Sequence, residues 1–368
     1  MRVPLFRPVI CEEAIEAVGQ VLRSGWLGMG PRTAEFEQAF ATYVGNRHCV
    51  GLSSCTSALH LALRVLDLPE GSEVITTPIT FVSTNHAILY ERCRPVFADV
   101  EADTGNIDVA SIASKITERT RAIMAVHLGG YPCELDELYA LASSCGVAVV
   151  EDCAHACGAS YKGRPIGSHG HLHAFSFHAV KNLPMGDGGA LVVRDQSIDA
   201  RLRRLRWLGI DKDTFHRTQR PSYSWEYDVP EVGHKCHMND IQAAIGLAQL
   251  RRLPEENARR AEIVARYYDG LRGVAGVTLL RRDDDRVCSN HLCCILADDR
   301  DALVLRLQAA GIDTGMHYRR NDLYPMYKHD ESLVNAERFW RSAISLPLHM
   351  ALTDEQVDYV VGQICAGW

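Results

Sequence analysis

Chemistry in this chain centres on Lys181, in the run Ser176-Phe177-His178-Ala179-Val180-Lys181-Asn182-Leu183-Pro184-Met185-Gly186-Asp187-Gly188-Gly189. The apolar stretch 172–177 predicts a strand that delivers the lysine. A glycine-rich turn follows, and a second apolar stretch, 189–193, predicts the return strand. A lysine in such a setting loses hydration. Desolvation lowers an amine pKa and makes it a better nucleophile toward a carbonyl carbon. An ordinary lysine would instead pack its stem and send its ammonium to water, so the reading needs partners.

Three further segments supply them. Val147-Ala148-Val149-Val150-Glu151-Asp152 reads as a buried parallel strand ending in a carboxylate, at the edge where open α/β sheets bind ligands. An anion there suits the pyridine nitrogen of pyridoxal phosphate, which is also an aldehyde that a lysine amine can attack. As an isolated residue, Asp152 would more often be a helix cap. Gly51-Leu52-Ser53-Ser54-Cys55-Thr56-Ser57-Ala58-Leu59 places hydroxyls before an apolar helical pattern. Hydroxyls and backbone N–H groups at a helix start form a phosphate site, although Ser/Thr caps also open many helices that bind nothing. In Val74-Ile75-Thr76-Thr77-Pro78-Ile79-Thr80-Phe81 a strand ends at Pro78, and Phe81 lies beyond it. Phe81 could stack on a planar ring; a core phenylalanine is the blander alternative.

The elements that must position these residues follow from periodicity. Helical patterns at 10–23 and 33–44 flank a glycine-rich loop, Gly25–Gly30. Strands are expected at 73–77, 95–99, 121–127, 147–151, 172–177 and 189–193, with helices at 56–66, 81–91 and 134–145 among them. Such alternation predicts an α/β fold: a mostly parallel sheet sandwiched by helices. A helix at 196–208 leaves the sheet, and 211–236 reads as a long irregular segment. Two helices are expected over 238–274, the second opened by Pro254. A smaller C-terminal α+β unit follows, with strands near 276–280 and 291–297 and helices near 300–310, 333–342 and 353–364. The expected division is a large domain, 1–250, and a small one, 251–368, with no flexible linker.

Composition narrows the class. The chain has 368 residues, 47% of them hydrophobic, enough for two packed units. A net charge of −7 argues against a nucleic-acid surface. The basic cluster Arg201-Leu202-Arg203-Arg204-Leu205-Arg206 is expected to be one solvated helix face. Thirteen dispersed cysteines without C-x-x-C spacing suit reduced, mostly buried thiols and a cytoplasmic setting. Cys153, His155 and Cys157 lack a second ligand pair, so no metal is expected. Residues 1–10 have no apolar signal region, and no run of 18 or more apolar residues predicts a membrane span.

In order along the chain, seven segments resemble the DegT/DnrJ/StrS family of sugar aminotransferases, which share the fold of aspartate aminotransferase. They are Ser24–Pro31, Ser54–Ser57, Glu151–His155, Ser176–Asn182, Gly233–Ala244, Gly311–Tyr318 and Leu346–His349. The resemblance implies pyridoxal phosphate held on Lys181, with Asp152 at the ring nitrogen. It implies Phe81 and His155 on or beside the ring, and Thr56, Ser57 and Ser176 at the phosphate. It also implies Lys235 of a second subunit at that phosphate, hence a homodimer with composite sites. The expected reaction moves an amino group from glutamate or glutamine to a nucleotide-linked keto-sugar. Two alternatives stand beside it. Cyclitol aminotransferases usually carry glutamines where His178 and Ala179 stand here. A non-catalytic relative with a regulatory role would have no need of Lys181 and Asp152. Branches in which histidine replaces the lysine are dehydratases, and Lys181 argues against that branch.

Overall fold

The computed structural model describes residues 1–212, 227–327 and 331–368. Seven strands form the main sheet: β1 (His48–Leu52), β2 (Glu73–Thr76), β3 (Arg94–Phe97), β4 (Thr120–Val126), β5 (Ala148–Asp152), β8 (Leu172–Ser176) and β9 (Gly189–Val193), in the order β1-β9-β8-β5-β4-β2-β3. Only β9 runs against the others, pairing antiparallel with β1 and β8. The expected α/β sandwich is therefore present. Six sheet strands stand within a residue or two of expectation, because their apolar runs are buried, on both faces in all but the edge strand β3. One apolar layer packs Phe36, Phe40, Phe175 and Phe177 on one side. Leu59, Leu63, Ile88 and Leu202 pack on the other. β1 was not anticipated; His48 and Gly51 interrupt its apolar pattern.

The remaining strands are short. β6 (Ser160–Tyr161), β7 (Arg164–Pro165) and β11 (Arg286–Val287) make a small sheet that sequence periodicity cannot show. β10 (Val277–Leu279), β12 (Cys293–Ala297) and β13 (Ala343–Leu346) make an antiparallel sheet. Helices Arg300–Ala309 and Asp354–Cys365 lie in that C-terminal unit, whose core includes Ile263, Ile295, Leu307 and Val360. Val3 joins the same core, its N–H donating to Gly311 O at 2.9 Å.

Two expectations are corrected. The helices foreseen over 238–274 are one helix, Asp240–Leu271, with Pro254 inside it. It runs unbroken through residue 250. Its buried face continues past the proline through Glu256, Arg260, Ile263 and Tyr267, so tertiary packing overrides the proline penalty. An Asn239–Gln242 capping box fixes its start. The basic cluster is not a uniformly solvated face either. Arg203 reaches Glu37 at 2.7 Å and Arg206, itself buried, pairs with the same carboxylate. Gly51 N donates to Glu37 at 2.8 Å, so this hub ties helix Pro31–Tyr43 to β1.

That hub gives a stability prediction. Burial raises the Glu37 carboxyl pKa, but Arg206 and Arg203 outweigh it and hold the group below its ordinary value. A carboxylate with a depressed folded-state pKa contributes stability above its unfolded pKa and loses it as pH falls through the folded value. Glu37→Gln should cost about 3 kcal/mol near neutral pH, because two guanidinium groups lose a buried counter-charge. Denaturant unfolding should show the gap narrowing below about pH 4.

Candidate active site

Strand register gathers the predicted residues on one edge. Gly189 pairs with Leu52 on one side and Ser176 on the other, so the turn after β1 and the turn after β8 are neighbours. Asp152, ending β5, lies opposite Ala174 and Val126. β2 ends beside β4 and leads to Phe81. All are C-terminal strand ends, the ligand-binding edge of such sheets. Gly189 is needed there: a Cβ would stand 2.3 Å from the Ser54 carbonyl carbon and 2.5 Å from Cys55 N.

Ser54 caps helix Cys55–Arg64, accepting from Ser57 N at 3.2 Å, and its hydroxyl lies 3.1 Å from Ser57 Oγ. Thr56 opens the same helix. Ser176 Oγ accepts from His178 N at 3.4 Å. Hydroxyls and a helix N-terminus thus lie on two neighbouring turns. The buried thiol of Cys55 lies 3.7 Å from Ala174 O, close enough to Asp152 and Lys181 to feel their charges.

Asp152 is 3% exposed. Thr84 Oγ1 donates to its Oδ2 at 2.8 Å and Ala154 N to its Oδ1 at 3.0 Å. Burial raises its pKa despite those bonds and despite Lys181. Such a carboxylate calls for a cationic partner. Behind it, Glu151 is buried with His127 and His173. Cys133 N donates to His127 Nδ1 at 3.1 Å, so His127 Nε2 carries the proton bonded to Glu151 at 2.9 Å. His127, Glu151 and Cys153 are the one metal-capable grouping among the described residues, and the first two are already each other's partners.

Lys181 is half-buried, and desolvation brings its amine down to about 8 against the opposing pull of Asp152. Its Nζ lies 3.3 Å from His291 Nε2. Asn182 Nδ2 donates to Asn257 Oδ1 and Ser289 O, which leaves Asn182 Oδ1 to accept from His291 Nδ1 at 3.2 Å. His291 therefore presents a lone pair to the lysine. His155 is held similarly. Gly129 N donates to its Nδ1 at 3.2 Å, so Nε2–H donates to the Tyr318 hydroxyl at 3.1 Å. Burial, then Lys181, keeps both histidines well below their ordinary pKa, and takes His317 down to about 4.

Phe81 is 58% exposed, with Tyr318 6.1 Å away between ring centroids. The alternative of a core phenylalanine is thereby excluded. Lys235 stands apart. It is exposed, with its ammonium 5.7 Å from the Trp207 ring centroid. Ser53 N donates to Cys236 O at 2.7 Å, so the Lys235 segment lies against the Ser53–Ser57 turn of its own chain. Part of the segment 211–236 falls outside the described residues. The loop before helix Pro31–Tyr43 is anchored by Asp240, which accepts from Gly30 N and Thr33 N, both at 2.9 Å.

Sequence reasoning missed His291, His317, Tyr318 and Thr84 as site members. His317 and Tyr318 lie in a quoted segment, and a histidine beside the apolar run 292–297 was a readable signal for His291.

The assembly fits pyridoxal phosphate: a desolvated lysine amine, a buried carboxylate short of a cation, an exposed aromatic face and a hydroxyl-lined helix start. Comparison with known proteins agrees. The DegT/DnrJ/EryC1/StrS aminotransferase family matches residues 8–365, and the chain belongs to it. It is a pyridoxal-phosphate-dependent aminotransferase. The UDP-4-amino-4-deoxy-L-arabinose–oxoglutarate aminotransferase of Shewanella sediminis is 39% identical over 98% of this chain and 97% of its own. AtS13 from Actinomadura melliaura superposes with a TM-score of 0.94 at 41% identity, covering 100% of both chains. The PLP-form of Spr1654 from Streptococcus pneumoniae gives 0.91 at 32% identity, over 100% of this chain and 98% of that one. No helix among the described residues is long and apolar enough to cross a membrane.

An amine with a pKa of about 8 sets a pH dependence. Only the neutral amine attacks an aldehyde. Raising pH from 7 to 9 should speed cofactor capture by the apo-protein roughly tenfold, levelling above 9. Stopped-flow absorbance across that range would show it; a flat profile would contradict a desolvated Lys181.

Proposed function

We propose that this aminotransferase moves an amino group from glutamate or glutamine to a nucleotide-linked keto-sugar. The observation that carries the reading is the convergence of the desolvated Lys181 amine and the buried, cation-short Asp152 carboxylate on one sheet edge. The sugar acceptor is supported by the nucleotide-sugar reaction named for the Shewanella relative. Pyridoxal phosphate supplies the electron sink that makes the amino-bearing carbon acidic. Lys181 Nζ takes the proton from that carbon and returns it on the other side of the transfer. Asp152 holds the proton at the ring nitrogen, stabilised as the carboxylate by the charge it faces. Thr56, Ser57 and Ser176 hold the phosphate, while Phe81 and His155 pack on or beside the ring. His155, bonded to Tyr318 and Gly129, is fixed in orientation for that role. A cytoplasmic setting is supported by thirteen free thiols. The test is a panel of keto-sugar nucleotides offered to enzyme first aminated by glutamate, with products read by mass spectrometry. Amination of keto-inositols alone would favour the cyclitol reading.

The same reading makes the enzyme a dimer in which Lys235 serves the partner's phosphate site. Neighbouring side chains of an extended segment point opposite ways. Cys236 packs with the apolar core beneath the phosphate turn of its own chain, and Lys235 turns outward. Mixing Lys181→Ala and Lys235→Ala subunits tests this. Each mixed dimer then has one site with both residues intact, so activity should return. If Lys235 serves its own subunit, every site in the mixed dimer is defective, and no activity returns once exchange is confirmed by mass.

A further inference from the structure

The His291 imidazole is 2% exposed, and its Nε2 lies 3.3 Å from the Lys181 amine. A chain of groups that can only donate or only accept sets which ring nitrogen carries the proton. Asn257 Nδ2 donates to Cys157 O at 3.0 Å, so Asn257 Oδ1 is the atom that accepts from Asn182 Nδ2 at 2.8 Å. Asn182 Nδ2 gives its other hydrogen to Ser289 O at 2.7 Å. The Asn182 amide is thereby fixed, and its carbonyl oxygen meets His291 Nδ1 at 3.2 Å. The ring proton therefore sits on Nδ1, and Nε2 keeps a lone pair toward Lys181. Phe6 stacks on the ring, with centroids 6.0 Å and planes 8° apart, and the His291 backbone N–H donates to Gly129 O at 3.0 Å. Burial, then Lys181, His155, Arg260 and His317, hold the imidazole pKa well below its ordinary value, so that lone pair stays open. The Lys181 amine in turn faces Asp152 from the end of β5 and Cys55 from the start of helix Cys55–Arg64, both of which pull its pKa up against desolvation. His155 and His317 also face it, each with its own pKa lowered.

We propose that His291 is the positioning residue for the Lys181 amine, accepting one of its N–H bonds and so aiming the nitrogen lone pair during proton transfer. The inference rests on the aminotransferase reading above, in which Lys181 moves the proton, and adds what holds the amine while it does so. A free lysine amine swings on a flexible stem and turns about its last bond, so its lone pair has no set direction. One directed acceptor removes that freedom. When the substrate C–H bond breaks, its electron pair stays with the carbon and the proton goes to Lys181 Nζ. The resulting ammonium keeps an N–H on His291 Nε2, an acceptor that stabilises the new charge. A ring held with its proton on Nδ1 cannot donate to the amine and occupy the lone pair that the reaction needs.

The first test uses apo-protein and involves no turnover. Trace acetylation by acetic anhydride across a pH series, read on the Lys181 peptide by mass, gives the pKa of the amine. An acceptor favours the ammonium, so its loss in His291→Leu should lower that pKa by about one pH unit from the wild-type value of about 8. His291→Gln, which offers a carbonyl oxygen in place of the ring nitrogen, should stay closer to wild type. In the loaded enzyme, glutamate should bleach the visible cofactor band about 10- to 100-fold more slowly in His291→Leu, at unchanged glutamate Kd and with a larger α-deuterium isotope effect. His291→Gln should recover part of that rate. An unchanged or raised amine pKa in His291→Leu would mark a packing residue whose loss only lets water in, and would overturn the proposal. A loss confined to glutamate affinity would make His291 a substrate contact and overturn it too. Should His291→Leu fail to fold, nitrogen NMR of histidine-labelled wild-type protein decides, with the His291 signals assigned by their absence from His291→Gln. A proton on Nε2 rejects the proposal; a proton on Nδ1, with an Nε2 signal that moves in Lys181→Ala, supports it. If neither glutamate nor glutamine bleaches the wild-type band while a different amine does, the donor assignment fails instead, and the apo-protein result still decides the role of His291.

Discussion

Lys181→Ala should abolish turnover, by about 1,000-fold or more, while leaving a folded protein. The lysine amine has two tasks, covalent attachment of the cofactor and movement of a proton, and alanine performs neither. Its half-buried setting makes the change tolerable. The ammonium is already destabilised by desolvation, as the fall of its pKa to about 8 shows, so removing it relieves a cost. His291 loses only its contact at Nε2 and keeps the Asn182 bond that orients it. Two measurements check this. Borohydride treatment of wild-type enzyme should leave the cofactor permanently on the protein by mass, and the variant should carry no such adduct. Thermal melting of the two apo-proteins should agree within a few degrees. A variant that keeps more than a trace of activity would remove Lys181 from its role.

The site was legible in the sequence where it is built from strand ends. Asp152, Ser176 and Phe81 each end or follow a short apolar run that had to be a buried strand, so their convergence on one edge follows from topology; the serines after β1 showed only as a helix start, because β1 itself has no continuous apolar run. His291 was not legible in this way. It approaches Lys181 from 110 residues further along the chain, and no local pattern fixes where the C-terminal unit docks. Glu37 failed to show itself for the same reason: its partners Arg203 and Arg206 lie on another helix. The unbroken helix through Pro254 reflects a different limit. A proline rule describes local backbone cost, and a long buried face can exceed that cost. Lys235 marks the boundary of what one chain can say. Among the described residues its ammonium lies by the Trp207 ring and its side chain is exposed, and its proposed role depends on a second copy.

Asp152→Asn should still take up cofactor yet turn over at least 100-fold more slowly. The amide is nearly the same size, so the strand end and the pocket keep their shape. It carries no charge, and a neutral partner cannot hold a proton on the ring nitrogen. The ring then withdraws electrons less well when the substrate proton leaves. A buried charge partner of this kind contributes roughly 3 kcal/mol to the transition state, which is the factor expected. Stability should fall as well, by about 1 kcal/mol. Asp152 accepts at both oxygens, from Thr84 and from Ala154 N, and an asparagine can accept at only one. The two losses separate experimentally. Thr84→Val removes one of those donors and leaves the charge, so it should lower stability with a much smaller effect on kcat. Near-normal turnover in Asp152→Asn, with Thr84→Val just as stable as wild type, would mean that the aspartate only caps the turn at Ala154.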